Sequence, residues 1–396
     1  MMSNIAFLDK AIFYMLTCYA LFSCISIAGT SIALSLAVIL AVIRLVKQPE
    51  KPDMDRGLVQ ALLFFFLTLL ISALAAYDSA TGFAQVWKYF YRMVPLFLVV
   101  LFIKKPQQMV VVLLALSVSI FIAGSYTIWQ GIHGQQRAAA FGANAMILAG
   151  YLVQMIPLLF VMVTAKGYLE KRKRMLLAIV LLISLLALVF NATRGAWVAV
   201  AVSLLLYGLM NIKKHKYILP SIVIVCLGVG IVIGATPALE KRVASITDLT
   251  ERSNAERLLL WQSGWNMFKD HPLTGVGPDN FETLYQGKYV LPAAKQPELS
   301  HAHNNFVHMA AETGILGLTG FVYMFGYILY ISWHRYRLSP ANIWAAGCFF
   351  VTVGLLMQGL TEFNFGNSAV TRLYWFIVGL MLVSGSIYNN RENRRL

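Results

Sequence analysis

Long apolar runs, repeated from one end of the sequence to the other, limit what this chain can fold into. Each run approaches the roughly 20 residues that an α-helix needs to cross a bilayer. Of the 396 residues, 59% are hydrophobic and 12% are charged, which lies outside the range of soluble globular proteins. Backbone groups find no water inside a bilayer, so they must bond within helices. The sequence therefore predicts an all-α polytopic membrane protein.

The lengths of the apolar runs predict about 12 transmembrane helices. The first run is followed at once by the second without a small-residue cleavage signal, so we interpret it as a retained span and not as a removed signal peptide. The predicted spans cover residues 11–28, 31–46, 58–76, 89–104, 108–131, 143–165, 175–191, 196–212, 217–236, 306–333, 341–360 and 371–388.

The charge of the chain indicates its orientation in the membrane. A net charge of +15 is also typical of nucleic-acid binding, but about 20 of the 32 Lys and Arg residues fall in alternate loops and at the two termini. Lys and Arg gather in cytoplasmic loops, so both termini are expected in the cytoplasm. We therefore expect no nucleic-acid partner.

One polar segment, residues 237–302, is too long for a simple turn and contains no run that could span the membrane. By alternation of the spans, it is expected to face the periplasm or the cell exterior. The chain is therefore expected to consist of transmembrane helices 1–9 in residues 1–236, a periplasmic loop domain in 237–302, and helices 10–12 with a cytoplasmic C-terminus in 303–396.

Local patterns predict short helices inside the loop domain. Apolar residues at helical spacing favour helices over 239–247 and 253–269. The stretch 273–281 contains glycines and a proline and is expected to form a turn.

Arginines gather on the predicted outer side, against the general charge distribution: Arg137, Arg194, Arg252 and Arg257. The planar guanidinium group suits a phosphate or diphosphate, because it is always charged and bonds in a bidentate manner. The alternative is that each side chain extends to lipid headgroups or pairs with an acid. We favour an anionic ligand for Arg194 and Arg257, and the alternative for Arg137 and Arg252.

Two further sets of charged residues are expected to have structural roles. Those that flank spans would orient helices or pair between them: Asp78, Lys88, Arg92, Glu362 and Arg372. Those in the long loop are expected to be solvated: Lys241, Arg242, Lys269, Lys288 and Lys295.

Three histidines and a glutamate gather around the start of the tenth apolar run: His301, His303, His308 and Glu312. The histidine spacing lacks the i, i+4 pair of a helical zinc site and the pattern of a Cys/His knuckle, so no metal is expected. A neutral imidazole can instead act as a general base near neutral pH. The alternative is a histidine that bonds a loop carbonyl. Glu312, about two turns into the following helix, would either orient the base or cap a buried polar contact.

A membrane transporter or flippase is the alternative from another functional class. Transporters place ionisable residues in mid-membrane, on broken helices of inverted repeats. Here the middle of each predicted span is almost free of charge, and the polar groups converge at one face. This arrangement favours chemistry on a lipid-linked substrate at the membrane surface.

Three motifs, in this order and spacing, resemble those of the O-antigen ligase (WaaL) family in the O-antigen ligase/polymerase superfamily. The first is Thr-Arg-Gly-Ala-Trp around Arg194, and the second runs from Arg257 to Gly277. The third is His303-Asn304, followed after nine residues by Gly314-Ile-Leu-Gly317. Twelve spans with a large periplasmic loop between the ninth and tenth also match the family.

This resemblance implies a GT-C-type, inverting glycosyltransferase of the bacterial inner membrane. Such an enzyme moves O-antigen polysaccharide from undecaprenyl diphosphate to the lipid A–core oligosaccharide at the periplasmic face, without metal, cofactor or nucleotide sugar. O-antigen polymerases and protein O-oligosaccharyltransferases use the same donor and are the near alternatives.

The resemblance also implies roles for individual residues. Arg194 and Arg257 would bind the diphosphate, and His303 would activate the acceptor hydroxyl. Trp261 stands where the family motif often has leucine, four residues after Arg257, which leaves Arg252 as a substitute. Supporting roles are expected for four residues: Arg252, Arg137, Asn304 and Glu312.

Overall fold

A computed structural model of the chain describes residues 2–142, 144–165, 168–212, 230 and 234–392, and these parts are helical without β-strands. The first nine helices are α1 (Met2–Phe22), α2 (Ile27–Lys47), α3 (Arg56–Leu74), α4 (Ser79–Arg92), α5 (Val94–Phe102), α6 (Pro106–Ile132), α7 (Ala145–Thr164), α8 (Lys171–Asn191) and α9 (Arg194–Asn211). The helices that follow are α10 (Pro237–Ala244), α11 (Arg252–Asp270), α12 (Phe281–Leu284), α13 (Asn305–Leu338), α14 (Ile343–Gln358) and α15 (Ser368–Glu392). A π-helical turn covers Tyr285–Tyr289, and a 3₁₀ turn covers Asn364–Gly366.

Nine helices in the described parts are long and apolar enough to cross a membrane: α1, α2, α3, α6, α7, α8, α9, α13 and α15. Helix α14 is apolar but shorter, with 16 residues. The predicted span 217–236, and Lys213, Lys214 and Lys216 before it, lie mostly or wholly outside the described residues. The count of 12 spans therefore stays a prediction.

The predicted span 89–104 is not one continuous helix. It is divided at Met93 between α4 and α5, and Pro95 stands in the first turn of α5. Proline has no backbone N–H and clashes with a preceding helical turn, so it favours a new helix start at this point. At nine residues, α5 is too short to cross a bilayer on its own.

Helix α7 forms the centre of the bundle. Nearly all of its side chains are buried, and it packs against α8, α9 and α14. A helix that is apolar on every side is expected in such a position.

Helix α2 has one exposed apolar face, formed by residues at helical spacing: Ile32, Leu36, Ile39, Ile43 and Val46. This face has the composition expected of a surface in contact with lipid.

The polar segment between α9 and α13 lies over one end of the bundle. Its helix α11 packs against the first turns of α13. At the opposite end, Arg44 pairs with Asp9 and Glu50 at 2.8 and 2.9 Å, and Tyr327 donates to Asp55 at 2.7 Å. The bounds of α10 and α11 are similar to those of the two helices predicted in this segment, 239–247 and 253–269.

Helix α13 is interrupted at Gly314, where φ is +61° and ψ is −163°. The turn after α11 takes up the backbone groups that this break leaves free. Val276 N donates to Ala311 O at 2.9 Å, Gly277 N to Glu312 O at 2.8 Å, and Ile315 N to Pro272 O at 2.9 Å. The predicted turn over 273–281 thus anchors the polar segment to the membrane helix.

Candidate functional site

His303 lies in the turn that leads into α13, with a backbone φ of +46°. The next residue, Asn304, caps the helix: its side-chain oxygen accepts from Phe306 N at 2.8 Å and Val307 N at 3.1 Å. Its amide nitrogen donates to Leu360 O at 3.0 Å. Asn304 therefore joins the start of α13 to the loop after α14 and fixes the position of His303 between them.

The imidazole of His303 is paired with the carboxylate of Glu362. Nδ1 of His303 lies 3.1 Å from Oε2 of Glu362, and the side chains are 21% and 11% exposed. Burial alone would raise the pKa of Glu362, but the hydrogen bond from His303 and the nearby histidine and arginine charges hold that pKa below its usual value.

The ionised state of Glu362 determines the tautomer of His303. A carboxylate only accepts hydrogen bonds, so in the neutral imidazole Nδ1 carries the proton and Nε2 the lone pair. Nε2 has no hydrogen-bond partner in the described parts of the chain. In the neutral ring the pair thus orients Nε2 away from the carboxylate, as a general base requires.

His303 and Glu362 stand in the wall of a cavity of about 250 Å³. We call it the arginine cavity because four arginines line it: Arg137, Arg194, Arg242 and Arg257. The structure thus brings together three of the four outer arginines singled out from the sequence. Arg252 is exposed at the first position of α11 and is not part of the lining.

Arg257 projects into the arginine cavity from the second turn of α11. Burial lowers its pKa, an effect that nearby Glu362 opposes. Its Nη1 lies 3.5 Å from Asn254 Oδ1, and its buried Nε has no hydrogen-bond partner among the described residues. No described carboxylate forms an ion pair with it within 4.0 Å. A half-buried guanidinium without an ion-pair partner is costly unless it meets an anion, so this position suits a phosphate group.

Arg194, at the start of α9, is in a different state. Its guanidinium forms an ion pair with Glu251 at 2.9 Å and donates to Ser253, Asn254 and both oxygens of Ser245, all at 2.6–3.0 Å. Its charge is therefore already neutralised by a carboxylate. The contacts tie the segment between α10 and α11 to the start of α9.

Arg242 was expected to be a solvated loop charge, and the structure places it in the cavity wall. It is half-buried on α10, which packs through Leu239 against Val189 and Ala192. Burial, together with Arg137 and Arg194, lowers its pKa. Helix α10 was predictable from the sequence, but which face of α10 lines the cavity depends on the packing of Leu239.

A second cavity, of about 400 Å³, lies on the other side of His303 and Glu362. We call it the polar cavity. Glu312 and His308 line it as a buried pair, with His308 Nε2 and Glu312 Oε2 3.3 Å apart. Glu312 also accepts from Phe281 N at 3.2 Å. Of the two roles left open for Glu312, the contacts favour a cap on a buried polar contact.

His301 lies beside the base, with its ring centroid 4.2 Å from that of His303. Burial lowers its pKa to about 4, with a further contribution from His303. Ligand atoms of His301, His303 and Glu362 lie within 4.8 Å of one another, so this set could hold a metal ion. The spacing of the three histidines predicted no metal site, whereas the set in the structure has Glu362 in place of His308.

Glu362, like Arg242, is a residue of this site that the sequence did not single out. It was interpreted as a charge flanking a span. Its loop follows the eleventh predicted span, and alternation of the spans places that loop on the same side as His303. The alternation of the spans was therefore the signal in the sequence that could have pointed to Glu362. The contact itself could not be predicted, because 59 residues separate Glu362 from His303 and the contact depends on how α13 and α14 pack.

Residues 179–322 match a family model described as O-antigen ligase (Wzy_C). The matched stretch includes Arg194, Arg257 and His303 and ends before Glu362. No protein among the curated ones matches this chain.

Proposed function

Because residues 179–322 place this multi-pass membrane protein in the O-antigen ligase/polymerase superfamily, we propose that it is an O-antigen ligase. It would transfer O-antigen polysaccharide from undecaprenyl diphosphate to the lipid A–core oligosaccharide, at the periplasmic face of the bacterial inner membrane. Members of this superfamily are glycosyltransferase-like enzymes. The observation that carries the proposal is the His303–Glu362 pair in the wall of a cavity lined by four arginines.

The diphosphate of the donor would occupy the arginine cavity. Negative charge accumulates on the leaving diphosphate as the bond to the anomeric carbon breaks, and fixed guanidinium groups stabilise that charge. Arg257 is suited to direct contact because it is half-buried, its buried Nε has no hydrogen-bond partner, and it has no ion-pair partner in the described parts of the chain. Arg194 could contact the phosphate only by exchanging its ion pair with Glu251.

His303 would take the proton of the acceptor hydroxyl through Nε2. Glu362 holds Nδ1–H and stabilises the imidazolium that forms, so it is a positioning residue for the base. One direct displacement at the anomeric carbon would invert its configuration. In this mechanism His303 and the arginines supply the catalytic groups, Glu362 positions the base, and no metal takes part.

The test is complementation of a ligase-null strain with wild-type protein or His303→Ala, followed by electrophoresis of the lipopolysaccharide. Removal of a general base costs about 10²–10⁴-fold in rate. We expect His303→Ala to lose every O-antigen-bearing band while the protein stays in the membrane. His334→Ala is the matched control, because His334 lies exposed near the opposite end of α13.

The same gels distinguish the alternatives. A polymerase null would still show one repeat attached to the core, whereas a ligase null shows none. Normal transfer by His303→Ala would disprove the assignment of the base. Purified protein that moved solute across liposomes and transferred no sugar would exclude the enzymatic function.

A further inference from the structure

The arginine cavity and the polar cavity meet at a shared wall. Three residues line both of them: Met146, His303 and Glu362. The proposed base is therefore accessible from two sides. A transferase needs this arrangement, because the donor and the acceptor must both reach the same base without occupying the same space.

The charges of the two cavities differ in sign. The arginine cavity has four guanidinium groups and two carboxylates, those of Glu256 and Glu362. In the polar cavity the cations Lys88 and Arg92 are outnumbered by four carboxylates: Asp279, Glu282, Glu312 and Glu362. Like charges repel at close range, so a diphosphate is disfavoured in the polar cavity and favoured in the arginine cavity.

The polar cavity instead has the groups that bind sugar hydroxyls. A hydroxyl both donates and accepts, and its partners are the amides and carboxylates that line this cavity, among them Gln85, Glu282 and Asn367. The ring of Phe363 adds an apolar surface. Pockets that bind small polar ligands commonly combine a few placed polar groups with aromatic walls.

We propose that the polar cavity is the acceptor subsite, and that it binds the hydroxyl-rich terminal sugars of the acceptor oligosaccharide; this rests on the function proposed above. The acceptor oxygen forms the new glycosidic bond as its proton passes to Nε2 of His303. The electron pair of the broken anomeric C–O bond leaves with the diphosphate in the arginine cavity. Donor and acceptor thus approach the His303–Glu362 wall from different sides.

Gln85 and Glu282 are the residues that test this assignment. Gln85 is buried on α4, and Glu282 is exposed on α12 at the mouth of the cavity. Neither lines the arginine cavity. Loss of a hydrogen bond to a ligand typically costs about one order of magnitude in affinity, more when the partner is charged.

The experiment is a transfer assay with the purified full-length protein. Undecaprenyl-diphosphate-linked O-antigen is the donor, and lipid A–core from a strain without O-antigen is the acceptor; each is varied in turn. Gln85→Ala and Glu282→Gln should raise the KM for the acceptor about tenfold and leave the KM for the donor unchanged. Arg242→Ala is the opposite control, because it should raise only the KM for the donor.

The outcomes are distinct. If the wild type transfers sugar and both variants keep the wild-type KM for the acceptor, the polar cavity is not the acceptor subsite and the proposed function stands. A raised KM for the donor in both variants would assign the cavity to the donor and overturn the inference. A wild-type protein that transfers no sugar to this acceptor would overturn the proposed function and the inference together. Glu282→Gln keeps the shape of an exposed side chain, so misfolding is not expected to obscure the result.

Discussion

Strained backbone gathers around the two cavities. Among the described residues, five that are not glycine have a positive φ, and four of these line one of the cavities: Arg137, Ala192, Asp279 and His303. Such a conformation costs on the order of 1–3 kcal/mol for a residue with a side chain, and it persists where the surrounding contacts impose it. At His303, the Asn304 cap and the bond to Glu362 supply those contacts. The strain supports a functional role for this region.

Glu362→Gln should separate the positioning of the base from substrate binding. The amide of glutamine can still accept from Nδ1, but it cannot stabilise the imidazolium that forms during transfer. We expect kcat to fall about 10²-fold, while the KM for the donor and the midpoint of thermal unfolding stay near the wild-type values. The measurement is the steady-state transfer rate at saturating donor and acceptor.

Two further variants complete this experiment. Glu362→Asp keeps the carboxylate and should recover part of the lost kcat, a recovery that a purely structural role does not predict. Glu240→Gln, at an exposed position on α10, is the control and should behave as the wild type. A wild-type kcat in Glu362→Gln would contradict the assignment of Glu362.

Arg257 and Arg252 form a matched pair, one turn and a half apart on α11. Arg257 lines the arginine cavity, and Arg252 is exposed outside it. Charge-assisted hydrogen bonds to phosphate are about twice as strong as neutral ones. We expect Arg257→Ala to lower kcat/KM for the donor by about 10²-fold and Arg252→Ala to leave it unchanged. A loss of kcat/KM for the donor in Arg252→Ala but not in Arg257→Ala would instead identify Arg252 as the diphosphate ligand.

Sequence and structure agree on some residues of the site and not on others, for a physical reason. His303, Arg194 and Arg257 stand beside motifs with a fixed local spacing, which a sequence displays directly. The partners Glu362 and Arg242 depend on contacts between helices that are far apart in the chain. The ion pair of Arg194 with Glu251, which neutralises one of the expected phosphate ligands, depends on the fold in the same way.

At the level of elements, the break in α13 joins the polar segment to the membrane helices. Gly314 has φ and ψ values that essentially only glycine adopts. A Cβ on it would lie 2.4 Å from the backbone of Leu273. The glycine therefore fixes the distance between the turn after α11 and the helix that begins beside His303.

Gly314→Ala should lower the midpoint of thermal unfolding in detergent and reduce transfer. The expected destabilisation is at least about 1–3 kcal/mol from backbone strain, with the clash against Leu273 in addition. Gly326→Ala is the control on the same helix, because a Cβ there meets nothing within 4 Å. Alanine favours a helix over glycine, so Gly326→Ala should leave the midpoint unchanged or raise it. Equal midpoints for the two variants would show that the break is not required.

Most helices could be predicted from run length, because an apolar run of about 20 residues has few other stable structures in a bilayer. The division between α4 and α5 was not predicted, although Pro95 gave a local signal for it. Run length counts apolar residues and does not register the missing N–H of proline. The break at Gly314 was hidden for the same reason, since the residues around it are apolar enough for a continuous span.

At the scale of the whole molecule, the two ends of the bundle differ in chemistry. One end holds both cavities and the polar segment. The other holds ion pairs of basic residues that the sequence assigned to the cytoplasm, such as Arg44 with Asp9 and Lys104 with Glu50. The positive-inside rule therefore predicts that the site faces the periplasm, where the proposed donor and acceptor would meet.

Cysteine labelling tests this orientation directly. In a variant that lacks the native cysteines, Thr250→Cys and Lys51→Cys place single thiols at exposed positions on opposite ends of the bundle. A maleimide that crosses the outer membrane but not the inner one should label Thr250→Cys in intact cells. It should label Lys51→Cys only after the inner membrane is permeabilised. The reverse pattern would place the His303–Glu362 pair in the cytoplasm, where a periplasmic ligation reaction could not use it.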